Sequence, residues 1–163
     1  TMGILAQMEH LLRAAKSVPR TSLGKQLHDV AVMMKRRSFV IVVSDLLADV
    51  ADLQGGLDHL RFDGHNVLVL QTLDPFEIEF PFTGTWRFDG LEQEEPLTTQ
   101  PERVRADYLA GLREHQEALR AGCVASHIDY ALADTSRPLD AFLSEFFHQR
   151  EATMNAGGAG GRP

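Results

Sequence analysis

At 163 residues the chain is long enough to bury a sizeable core as one domain and too short for two comfortable ones. Hydrophobic residues at 44% and charged residues at 24% are the balance of a folded globular chain, which excludes wholesale disorder. Sixteen Lys plus Arg against 23 Asp plus Glu leave a net charge of -7, which argues against a general nucleic-acid binder that must neutralise phosphates.

No apolar run approaches the roughly 20 residues of a membrane span, and the densest, Phe39 to Val43, stops at Ser44. Thr1-Met2-Gly3 opens no leader with a charged start and a long apolar stretch. The single Cys123 excludes an internal disulfide framework and a cysteine-based zinc site. A cytoplasmic domain is the expectation.

In chain order, Ile4, Leu5, Met8, Leu11, Leu12 and Ala15 fall at helical spacing, and Val18-Pro19 ends that helix. Thr21 or Ser22 caps a second helix whose buried stripe is Leu23, Leu27, Val30 and Met34, with Lys35, Arg36 and Arg37 in its last turn. Ser38 to Val43 is continuously apolar, the pattern of a strand covered on both faces. Val50, Leu53, Leu57 and Leu60 mark a third helix that stops near Gly64, and Asn66 to Leu73 is a second buried strand. Together they make a βαβ unit.

Asp74-Pro75 breaks that strand, and Phe80-Pro81-Phe82 leads through Thr83-Gly84 into Trp86-Arg87-Phe88, read as a short hairpin excursion. Pro101 opens a long helix carrying Val104, Tyr108, Leu112 and Leu119 and ending at Gly122. Ile128 to Leu132 is a third strand, and Pro138 starts a last helix with Leu139, Phe142, Leu143, Phe146 and Phe147 inward. The expected fold class is α/β: a partial Rossmann-like, three-layer, mostly parallel sheet with a small hairpin excursion. Residues 1–150 form the single domain, and 151–163 a flexible tail rich in Gly and Ala.

Asp45 lies just past the first strand, where open α/β sheets place ligand groups. With Ser44 or Thr21 it offers the hard oxygens that Mg²⁺ prefers; the alternative is that Ser44 and Asp45 cap the next helix. Asp74 and Glu77 admit an acid/base reading, against which stands a polar turn leaving a buried strand. His10, His28, His59, His65, His115, His127 and His148 show no metal-type spacing. Trp86 and Phe88 either anchor a partner or fill a groove of the domain itself.

The stretches Arg20-Thr21-Ser22-Leu23-Gly24-Lys25 and Arg36-Arg37-Ser38-Phe39-Val40-Ile41-Val42-Val43-Ser44-Asp45-Leu46-Leu47 resemble the second half of a von Willebrand factor A-like domain. With Gly64-His65-Asn66-Val67, Leu73-Asp74-Pro75-Phe76-Glu77, Phe80-Pro81-Phe82-Thr83-Gly84 and Tyr130 to Leu139 in the same order, the chain most resembles domain-of-unknown-function family 58. That family is associated with MoxR-type AAA+ ATPases, and the likeness runs from about Leu11 to Arg150. The resemblance implies a metal-ion-dependent adhesion site in which Thr21 is the threonine and Asp45 the aspartate. The Asp-x-Ser-x-Ser loop of that site is not in this sequence, so the pair is read as an incomplete remnant of a domain without its first strands. No cofactor is expected; Mg²⁺ would be held only with the upstream loop present.

The resemblance also implies the function: a non-enzymatic protein-interaction module acting with a MoxR-type AAA+ ATPase, or a client of it, in assembly or maturation of other proteins. The alternative is a Mg²⁺-dependent phosphatase of the haloacid dehalogenase type, for which Asp45 and Asp49 supply the late acidic spacing but no earlier Asp-x-Asp strand end exists. Neither nucleic acid nor membrane is an expected partner of this segment. A strand left without a neighbour presents a bare edge, so self-association through it is also expected.

Overall fold

The computed structural model describes residues 22–88 and 97–158. The expected first helix and Thr21 lie outside them. Three parallel strands form the sheet, in the order β1 (Phe39–Ser44), β2 (Asn66–Leu73) and β5 (Asp129–Asp134). β2 is central, pairing Ile41 with Leu68 on one side and Leu70 with Ala131 on the other. Its burial is almost unbroken because both neighbours and both faces cover it. The helices lie on the two faces of this sheet, which is the expected α/β architecture.

Alternate residues point to opposite faces of a strand, and the two cores follow that rule. On one face, Val40, Val42, Val67, Val69 and Tyr130 pack with α1 (Leu23–Met33), α2 (Val50–Phe62) and α4 (Pro101–Ala125). On the other, Leu68, Leu70, Ala131 and Ala133 meet Phe142, Leu143 and Phe146 of α5 (Leu139–Gly158). That helix covers β2 and β5 and reaches β1 only at its start, where the Arg150 guanidinium lies 5.4 Å from the Phe39 ring centre. Phe39, Ile41 and Val43 are accordingly 45%, 50% and 61% exposed. The continuous apolar run therefore does not mark a strand covered on both faces; among the described residues β1 is an edge strand, covered on one face along most of its length.

The α1 stripe differs from its expected composition. Gly24, Leu27 and Ala31 are buried, whereas Val30 is 42% exposed. Two glycines set this face: a Cβ on Gly24 would stand 2.0 Å from the Asp52 carbonyl oxygen, and one on Gly56 would stand 2.5 Å from the Gly24 carbonyl oxygen. So close an approach of α1 and α2 requires residues without side chains. Ser22 caps α1 by accepting from the Lys25 N–H at 3.0 Å, and the helix ends at Met33, ahead of the basic triplet.

The middle segment opens with a short helix that the sequence pattern did not show, α3 (Pro75–Glu79). The hairpin then forms as a separate antiparallel pair, β3 (Trp86–Phe88) with β4 (Leu97–Thr99). α4 continues past Gly122 to Ala125, and α5 continues past Arg150 to Gly158, beyond the expected boundary at residue 151. Among the described residues no helix is long and apolar enough to cross a membrane.

Candidate functional site at the carboxyl edge of the sheet

β1 ends in a turn whose backbone separates two neighbouring side chains. Leu46 adopts a left-handed conformation (φ 57) and is buried, while Asp45 beside it is exposed. A non-glycine residue pays strain in that conformation and keeps it only where its surroundings over-determine it. Here they do. The Leu46 N–H donates to Ser44 Oγ at 3.1 Å, and the Leu47 N–H donates to Asp45 Oδ1 at 3.2 Å. The Ser44 hydroxyl donates to the same Asp45 oxygen at 3.3 Å.

Two side chains from other elements hold the turn from beneath. The amide of Gln71, fully buried in β2, donates to the Asp45 carbonyl oxygen at 2.8 Å. Its own oxygen accepts from the Tyr130 hydroxyl at 2.5 Å, and the Arg120 guanidinium lies 5.5 Å from the Tyr130 ring centre. Burial pushes the Tyr130 hydroxyl above its ordinary pKa, which keeps it a donor. His115 Nε2 of α4 donates to the Leu46 carbonyl oxygen at 2.8 Å. Gln71 carries no sequence signal beyond being a polar residue in an apolar strand. His115 is half-buried, and its ring nitrogen has a main-chain partner.

The other acidic candidates serve as caps. Asp74 Oδ1 accepts from the Phe76 N–H at 2.8 Å, and Glu77 Oε2 accepts from the Asp74 N–H at 2.8 Å. This reciprocal box is the polar-turn reading of that pair. Asp49 Oδ1 caps α2 through the Asp52 N–H, and Asp52 Oδ2 in turn accepts from the Ser22 hydroxyl at 2.6 Å and the Gly24 N–H at 3.1 Å. Asp134 accepts from the Ser136 N–H at 2.8 Å, and its contacts with Ser136 hold its carboxyl below the usual range.

Asp45 thus stands at the expected place, while Thr21, its expected companion, lies outside the described residues. Among those residues no group of three or more His, Cys, Asp or Glu is placed to hold a metal ion. The fold does bring two distant histidines together: His28 Nδ1 is 2.7 Å from His59 Nδ1, and His59 Nε2 is 3.5 Å from Asp63. Their linear separation concealed that pairing.

A family model described as protein of unknown function DUF58 matches residues 2–118. The chain belongs to the DUF58 family. The DUF58 match covers β1, the Asp45 turn, β2 with Gln71, the aromatic excursion and His115, and it stops within α4 ahead of Tyr130 and α5. No curated protein and no solved structure matched the chain.

Proposed function

We propose that this DUF58 chain is a non-enzymatic interaction module of the von Willebrand factor A-like type. It works in the cytoplasm with a MoxR-type AAA+ ATPase in the assembly or maturation of other proteins. The observation that carries the reading is the Ser44–Leu46 turn, whose exposed Asp45 carboxylate is backed by Gln71 and His115 at the carboxyl edge of the sheet. That edge is where open α/β sheets bind their ligands. A contact surface benefits from a backbone fixed in advance, because less ordering remains to be done on binding. The acids beside it are engaged in caps rather than in a nucleophile–base pair. Among the described residues no strand pairs with the outer edge of β1, which supports a further element of the reading: copies of the chain associate through it.

The test is co-purification of the tagged chain with a MoxR-type ATPase, using wild type and Asp45→Asn. Asparagine keeps an oxygen for the Leu47 N–H and removes the charge. Retention by wild type with loss in Asp45→Asn is expected; equal retention by both, or by neither, counts against the proposal.

A further inference from the structure

The excursion after β2 builds an aromatic surface that the Asp45 turn does not use. Phe76, Phe80, Phe82, Trp86, Phe88 and Tyr108 form one continuous set of ring contacts. Phe80 stacks on Tyr108 at 4.5 Å, Phe82 meets Trp86 edge-on at 5.0 Å, and Phe76 lies 5.7 Å from Phe82. The inner part is pinned: Arg105 donates to the carbonyl oxygens of Phe80 and Phe82 at 2.8 and 2.7 Å, and the Trp86 indole N–H donates to the Thr83 carbonyl oxygen at 2.8 Å. The outer part is open, with Phe76 56% and Trp86 44% exposed. Fixed, half-exposed aromatics are the residues that anchor protein interfaces.

Charge selects the occupant. Among the described residues from Asp74 to Glu102, four acids (Asp74, Glu77, Glu79 and Glu102) stand against one base, Arg87. Arg105 is turned inward to hold the loop. Arginine joins both features, because its weakly hydrated planar cation stacks on aromatic faces and is drawn to carboxylates.

We infer that Phe76, Phe82 and Trp86 form a docking surface for an arginine-bearing segment of a partner protein. The inference stands apart from the ATPase reading, since it involves different residues and needs no nucleotide-driven partner.

Trp86 is the single tryptophan, so its fluorescence reports on the surface directly. The probes are dye-labelled peptides of about a dozen residues alternating arginine, lysine, glutamate or proline with glycine, since specific recognition depends on which side chain engages. The arginine peptide is expected to bind and to shift Trp86 emission. Phe76→Ala and Trp86→Ala, both on exposed side chains and checked by circular dichroism, should each weaken it about tenfold by anisotropy. Binding that survives both substitutions, lysine binding as tightly as arginine, preference for the proline peptide, or no binding overturns the inference. Each of these outcomes leaves the ATPase co-purification result untouched.

Discussion

Gln71, enclosed in the central strand, donates its side-chain amide to the main-chain carbonyl of Asp45 at 2.8 Å, so the exposed carboxylate at the end of β1 is positioned from inside the sheet. Gln71→Leu keeps the volume and removes both partners of the network, leaving the Asp45 carbonyl and the Tyr130 hydroxyl unsatisfied. A stability loss of about 2–3 kcal/mol is expected in urea unfolding. Tyr130→Phe alone should cost about 1 kcal/mol, and the double variant should fall short of the sum because the two share one hydrogen bond. Strict additivity would show that the network is not a unit.

The two adjacent glycines of α2 should respond oppositely to alanine. Gly55 has nothing within 4 Å of an added Cβ, so Gly55→Ala is expected to stabilise by about 0.5–1 kcal/mol through helix propensity. Gly56→Ala drives a methyl into the Gly24 carbonyl and the Leu27 side chain, and a loss of about 1–3 kcal/mol or more is expected. Thermal melts of both variants check the pair. Similar shifts would mean that α1 and α2 are not in close backbone contact.

Cys123 is buried, and burial, with a smaller contribution from Asp58, pushes its thiol up to about 11. The folded thiol therefore holds its proton to higher pH than the unfolded one. The resulting stability is fully present below pH 9, the ordinary value, and is lost as pH rises toward 11. Alkylation by iodoacetamide at pH 8 should be slow in the native protein and rapid in denaturant. Rapid native labelling would contradict the burial.

The proposed self-association through β1 would depend on concentration. Sedimentation velocity is expected to show a dimer or larger species in wild type, shifted toward monomer by Ile41→Lys, which places a charge on the exposed face of an edge strand. A wild-type monomer at every concentration would remove this part of the proposal.

Sequence reasoning read the elements that apolar spacing dictates: β1, α2 and β2 lie where the periodicity placed them, and Asp45 was legible from its position after a buried strand. It misjudged what depends on neighbours. The apolar run of β1 carries no sign that α5 leaves Ile41 and Val43 exposed, and the α1 face is set by Gly24 and Ala31, which contribute little to a hydrophobic pattern. Gln71 escaped notice because its role rests on Tyr130, 59 residues away, and on a backbone oxygen, neither of which spacing records. The helix over Pro75–Glu79 was hidden because its five residues are too few for a periodic signature, although the Asp74–Glu77 capping pair announces it.

The most direct measurement of the functional claim is hydrogen exchange of the chain alone and with a MoxR-type ATPase and nucleotide. Slowed exchange at the amides of Leu46 and Leu47, present in wild type and abolished in Asp45→Asn, is the expected result. Unchanged exchange at that turn, despite a formed complex or for want of one, would contradict the account.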